Sequence, residues 1–118
     1  RLDKKKYTNF FKMKKIEIHT RSVFLQGLLL MKKRPSQFNK WKKLFNLWDK
    51  INRYDNYNSA INAINFVLKN KHISKIVIGF ENSHQLKSIL LNHKKIKTTY
   101  TSKLQSNDLN LINPTNWY

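Results

Sequence analysis

The clearest succession of strand, turn and helix lies in residues 73–90, with the sequence ISKIVIGFENSHQLKSIL. Lys75–Gly79 is rich in β-branched residues and ends on glycine, which is typical of a buried parallel strand. The apolar residues that follow recur at helical spacing, so a helix is predicted from about Ser83. This stretch therefore predicts a strand that passes through a short turn into a helix.

A second strand is predicted upstream of this stretch. Ile16 and Ile18 alternate with polar residues, and the pattern continues into residues 21–31, RSVFLQGLLLM. Gly27 interrupts that run, and Pro35 and a serine punctuate the approach to the next element. The sequence predicts a strand that ends in a loop. Before it, apolar residues scattered among lysines, from Leu2 to Met13, suit a short helix.

Two helices are predicted between the strands. The first has large apolar residues at spacings of three and four, which is typical of one packing face; they are Phe38, Trp41, Leu44, Phe45, Trp48 and Ile51. The second is expected to be capped by Asn58 or Ser59, and the small Ala60 and Ala63 lie in its apolar stripe. Small residues allow a helix to lie close to a sheet, so both stripes are interpreted as packing surface.

The order of the elements predicts an α/β architecture, because strands separated by whole helices pair in parallel. At 118 residues the chain is too short for a complete eight-unit barrel, which needs about 250 residues. Residues 94–118 are polar and irregular, and we expect them to form a tail whose aromatic residues dock on the body. Because the chain starts at Arg1 and its elements begin at once, we expect further segments upstream.

The net charge of +18 suggests a polyanionic partner such as nucleic acid. The basic residues are scattered, however, and lysine far outnumbers arginine, which favours a compositional bias and a solvated surface. We therefore expect no nucleic-acid partner, although a small basic nucleic-acid-binding protein stays open as an alternative. The longest apolar run, Leu28–Met31, is too short for a membrane span or a secretory signal, so a cytoplasmic protein is expected.

The residues that usually carry chemistry form no recognisable catalytic group. There is no cysteine, and the two glycines are too few for a Walker loop or a three-glycine dinucleotide motif. The histidines lack metal-ligand spacing, and the six carboxylates are dispersed. No catalytic residue and no metal site is predicted.

Residues 21–31 and 73–90 resemble, in order and spacing, the seventh and eighth strand-loop-helix segments of aldo/keto reductases, especially bacterial members. The helix 59–68 and the closing Leu111–Pro114 with Trp117 are also similar to that branch. The resemblance implies that residues 1–118 are the C-terminal portion of a TIM (β/α)8 barrel and cover about strands 7 and 8 with their helices. It implies an NADP(H)-dependent oxidoreductase that transfers hydride to or from a carbonyl or alcohol substrate.

The resemblance also implies which residues contact NADP(H). Loops after the seventh and eighth barrel strands often hold a phosphate together with a helix N-terminus, and residues 79–83 form a glycine-containing turn before a helix. Eight candidates follow, four of them being Arg21, Ser22, Phe24 and Leu25. The remaining candidates are Gly27, Gly79, Asn82 and Gln85. Each has an alternative structural role, such as core packing, a turn or a helix cap.

The family's catalytic residues lie in earlier barrel segments, so this chain inherits none of them. Two departures from the family pattern, Arg21 in place of an aromatic residue and Ile89 in place of an asparagine, motivate an alternative. In that alternative the chain is a non-catalytic or repurposed barrel-derived binding protein.

Overall fold

The computed structural model describes residues 5–92, 94 and 98–118. Within them the chain forms five α-helices, two short strands and four short segments of 3₁₀-helix. The helices are α1 (Lys5–Met13), α2 (Lys42–Ile51), α3 (Asn56–Leu68), α4 (Ser83–Asn92) and α5 (Leu109–Ile112), and the strands are β1 (His19–Thr20) and β2 (Lys75–Ile76). The predicted first helix is present as α1, although Leu2, assigned to it from the sequence, lies outside the described residues.

The two strands pair in parallel, as their separation by helices predicts. His19 is in register with Lys75, and Thr20 with Ile76. The Val77 N–H donates to the Thr20 carbonyl at 2.8 Å and closes the ladder. Parallel pairing is confirmed, but each strand is only two residues long instead of the five predicted for Lys75–Gly79.

The predicted seventh and eighth segments of a TIM (β/α)8 barrel are wrong. The described residues form a small, mostly helical domain with two short strands, and they do not show barrel strands with their helices. The physical reason lies in the missing neighbours, because a strand extends only as far as another strand satisfies its backbone groups. Val77 is 58% exposed, so the β-branched run beyond β2 lacks the burial expected of a barrel strand.

One part of the core is an aromatic cluster between α2 and the C-terminal residues. Leu28, Phe38, Phe45 and Leu111 are buried together, and Trp117 packs against them. The ring centroids of Phe38 and Trp117 are 4.9 Å apart in an edge-to-face arrangement. The α2 stripe is therefore packing surface, as predicted. The expected docking of the tail aromatics is confirmed for Trp117, whereas Tyr118 is exposed.

A second part of the core joins α3 to α4 and to the residues that follow β2. Ala60, Ile61, Ile64 and Ile89 are buried in it. The small residues of α3 bring it close to Ile76 and the strand ladder, as expected from the sequence.

The predicted cap of α3 is wrong. Asp55, rather than Asn58 or Ser59, caps the helix, and its side chain accepts from the Asn58 N–H at 2.9 Å. The helix begins at Asn56, so Asn58 lies in its first turn and supplies a donor instead of an acceptor.

Candidate functional site

Residues 22–27, here called the left-handed loop, leave β1 with an unusual backbone. Ser22, Leu25 and Gln26 have φ angles of 60°, 50° and 53°, and Gly27 has a φ of 82°. A left-handed conformation costs about 1–2 kcal/mol for a residue with a Cβ. Three such residues within one loop mark a segment whose shape is maintained against local strain, and such segments concentrate at ligand-binding sites.

Hydrogen bonds within the chain hold this loop in place. The Leu25 N–H donates to the Ser22 carbonyl at 2.9 Å, and the Leu28 N–H donates to the Leu25 carbonyl at 3.0 Å. Leu28 itself is almost fully buried in the aromatic cluster. The core therefore anchors one end of the loop and β1 anchors the other.

Residues 79–85, here called the turn segment, follow β2 and include the first residues of α4. The Asn82 side chain accepts from the Gln85 N–H at 2.9 Å and so caps the start of the helix. Gln85 in turn accepts from the Glu81 N–H at 3.2 Å. These two bonds fix the turn segment and take up part of the hydrogen-bonding capacity of Asn82 and Gln85.

Gly79 has no structural reason to be glycine. Its φ lies outside the left-handed range, and a Cβ at this position would meet no atom within 4 Å. A Cβ at Gly27 would also lie in open space, but the φ of 82° at that position favours glycine. The space beside Gly79 would allow a ligand to approach the backbone closely.

The left-handed loop and the turn segment enclose one cavity of about 380 Å³, here called the loop cavity. Six of the eight residues predicted from the resemblance line it: Arg21, Ser22, Phe24, Gly27, Gly79 and Gln85. Leu25 instead lines a neighbouring apolar cavity, and Asn82 caps α4. The structure thus brings most of the candidates together from two distant stretches of sequence.

Other residues of the loop cavity were not singled out from the sequence. They are Val23, Gln26, Leu30, Val77, Ile78 and Glu81. Gln26 and Glu81 lie within the two quoted motifs, between residues predicted to contact the cofactor. That position in the sequence is the feature from which both could be predicted as lining residues. The aliphatic residues belong to apolar runs that sequence patterns assign to the core.

The charges around the loop cavity are one arginine and one carboxylate. Arg21 is exposed and forms no hydrogen bond or ion pair with any other residue in the described part of the chain. Its guanidinium group is available to a phosphate or carboxylate. Glu81 lies in the same wall and opposes an anion placed near it.

These features suit one half of NADP(H) better than the whole dinucleotide. The volume is at the lower end of the range of about 300–1,000 Å³ for small-molecule pockets. Arg21 offers a partner for a phosphate, the open backbone at Gly79 allows close approach, and Phe24 provides an apolar wall. Glu81 could accept from a ribose hydroxyl, which is a common partner of an acidic side chain in nucleotide sites.

Neither a metal cluster nor a membrane-spanning helix is found in the part of the chain that the structure describes. Among those residues no group of three or more histidine, aspartate or glutamate side chains is placed to hold a metal ion. None of the described helices combines the length and apolar character required to cross a membrane.

Comparison with known proteins gives no relative. No protein-family model, curated protein or solved structure matches the chain. The resemblance of residues 21–31 and 73–90 to aldo/keto reductases therefore stays a prediction from the sequence.

Proposed function

We propose that this chain binds one half of NADP(H) in the loop cavity and so contributes part of the cofactor site of an oxidoreductase acting on a carbonyl or alcohol substrate. The observation that supports the proposal is convergence: the two stretches that resemble cofactor loops lie far apart in sequence and line the same cavity. The parallel pairing of β1 and β2 brings the two stretches together.

The chain's own residues would bind and orient the cofactor. Arg21 would pair with a phosphate, and the backbone beside Gly79 would allow the ligand to lie close to the turn segment. The bound cofactor would supply the hydride chemistry, and the protein would supply position and electrostatics. No residue of this chain is assigned a catalytic role.

The proposal is tested by a calorimetric titration of the chain with NADPH. Gly79→Ala places a methyl group in the space where the ligand would approach, and we expect it to weaken binding by about tenfold or more, equivalent to about 1.4 kcal/mol. The thermal midpoint of the variant should stay within about one degree of the unmodified chain, because the Cβ meets no protein atom within 4 Å. Equal affinity of the two proteins, or no binding to the unmodified chain, would contradict the proposal.

The charge arrangement gives a second arm of the same experiment. Glu81→Gln removes the carboxylate from the cavity wall and should tighten NADPH binding, whereas Arg21→Gln should weaken it. Arg53→Gln is the matched control, because Arg53 is exposed and does not line the cavity.

A further inference from the structure

A second cavity of about 450 Å³ lies on the other side of the left-handed loop and is here called the apolar cavity. Most of its wall is hydrocarbon or aromatic, with Leu25, Leu29, Leu44, Trp48, Phe66 and Val67 as its main apolar residues. Its volume is within the range of small-molecule pockets. An apolar body could therefore be accommodated between α2, α3 and the left-handed loop.

Two polar side chains in this wall, Trp48 and Asn62, already have hydrogen-bond partners. The Trp48 indole N–H donates to the Leu29 carbonyl at 2.9 Å. The Asn62 amide donates to Asn52 at 2.9 Å and to the Thr99 carbonyl at 3.0 Å, and it accepts from the Thr99 N–H at 3.1 Å. These residues therefore add little capacity to bind a polar ligand group.

Two neighbouring residues at the end of β1 are different. The Thr20 hydroxyl is buried and has no hydrogen-bond partner among the described residues. Arg21 lines the apolar cavity as well as the loop cavity, and its guanidinium is unpaired within the same part of the chain. An unsatisfied buried hydroxyl is unfavourable for stability, whereas the exposed Arg21 can pair with an anionic group of a ligand.

We propose that the apolar cavity binds a monocarboxylate with a hydrophobic body, such as a medium-chain aliphatic acid. The hydrocarbon part lies against the leucines and aromatic rings, and the carboxylate pairs with Arg21. Arg21 is the one charged residue in this wall among the described residues, which favours an anion over a neutral or cationic head group. This inference is distinguishable from NADP(H) binding, because the two cavities share only Arg21, Ser22 and Val23.

The charge requirement is tested with two probes of equal chain length, octanoate and octan-1-ol, in calorimetric titrations. The chain should bind octanoate more tightly than octan-1-ol, and Arg21→Gln should weaken octanoate binding by about tenfold or more while leaving octan-1-ol unchanged. Arg53→Gln, which removes an exposed arginine elsewhere, should change neither titration. Equal affinity for both probes, or an Arg21→Gln variant that binds octanoate normally, would overturn the proposal.

The location of the site is tested by filling the cavity. Val67→Phe should abolish octanoate binding, whereas Leu68→Phe, a change at an adjacent exposed position outside the cavity, should leave it intact. A thermal melt of both variants shows whether they fold. Val67→Phe should leave NADPH binding unchanged and Gly79→Ala should leave octanoate binding unchanged, so failure of one proposal is distinguishable from failure of the other. Retained octanoate binding in folded Val67→Phe would overturn the site.

Discussion

The two glycines differ in what the backbone demands of them. Gly27 has a left-handed φ of 82°, whereas Gly79 does not lie in that region. An alanine at position 27 would have to adopt a conformation that residues with a Cβ avoid. Gly27→Ala is therefore expected to destabilise the fold by about 1–2 kcal/mol, measured by urea unfolding. Gly79→Ala is the control, and a loss of similar size in both variants would contradict this account of Gly27.

Arg34 joins three parts of the structure. It forms a two-point ion pair with Asp49, with both N···O distances at 2.7 Å, and its Nε donates to the Leu28 carbonyl at 3.0 Å. The guanidinium carbon also lies 4.4 Å from the ring centroid of Phe45. The arginine side chain is only 10% exposed, so solvent weakens these contacts little.

Arg34→Ala is expected to cost about 3 kcal/mol, since it leaves the Asp49 carboxylate without its partner. Arg34→Lys should recover only part of that loss, because an ammonium group cannot form the paired hydrogen bonds. Lys40→Ala, which removes an exposed partner of Asp108, serves as the comparison and should have a much smaller effect. Urea unfolding of the three variants gives the test. Equal stability of Arg34→Lys and the unmodified chain would contradict a stabilising role for the paired hydrogen bonds between Arg34 and Asp49.

At the residue scale, the sequence predicts which side chains lie close together more accurately than it predicts the backbone conformation of each residue. Gly27 was predicted to permit a turn, and its φ agrees. The residue types of Leu25 and Gln26 do not predict their left-handed conformations, because neither residue favours that region. They arise because the loop must connect β1 to the buried Leu28, and that closure depends on the tertiary structure.

At the scale of elements, Trp117 is one of the residues that attach the C-terminal segment to the aromatic cluster. Its ring packs edge-to-face on Phe38, its indole N–H donates to the Leu111 carbonyl at 3.1 Å, and its carbonyl accepts from Gln37 at 3.1 Å. Trp117→Ala is expected to cost about 2 kcal/mol, less than for a fully buried tryptophan. Tyr118→Ala is the matched control, because Tyr118 is exposed and should contribute nothing measurable. Equal thermal midpoints for both variants would contradict a stabilising contact between Trp117 and Phe38.

Asp108 couples the start of α5 to pH. The backbone N–H of Asn110, then Lys40 and Trp41, donate to this carboxylate and hold its pKa below the ordinary value. Because the folded pKa is depressed, the stabilisation is present above the unfolded pKa of about 3.9 and is lost as pH falls through the folded value. The stability difference between the unmodified chain and Asp108→Asn should therefore shrink below about pH 4. Unfolding midpoints from pH 6 to pH 2.5 provide the measurement, and a difference that is constant with pH would be inconsistent with this role.

Helices were easier to predict than strands for a physical reason. The α2 and α3 stripes depend on side chains three and four positions apart, and that spacing is visible in the sequence. Strand length depends on a neighbour that supplies hydrogen bonds, which no local pattern contains. Lys75–Gly79 has the composition of a buried strand, yet the ladder ends at Ile76.

At the scale of the whole molecule, the candidate site depends on the convergence of two distant motifs and not on the fold class. The barrel prediction is wrong, but residues 21–27 and 79–85 still line one cavity. This is possible because the parallel β1–β2 pair places the ends of both strands at the same edge, so the segments that follow them meet. The order of elements made that meeting predictable, whereas the extent of the sheet was not.

The net charge of +18 does not by itself identify a partner. Only one arginine, Arg21, contributes to the described wall of either cavity. The proposed sites therefore depend on one positioned cation and not on the average charge. Ligand binding that depends on Arg21 but not on Arg53 would show that one positioned cation, and not the average charge, determines the affinity.

The most direct test of the proposed cofactor site is amide hydrogen exchange of the chain with and without saturating NADPH. Binding in the loop cavity predicts added protection in residues 21–27 and 79–85, with little change in α1 or at Tyr118. Gly79→Ala should lose that protection while keeping the exchange pattern of the free chain elsewhere. Protection confined to other regions, or spread evenly over the lysine-rich surface, would contradict the account.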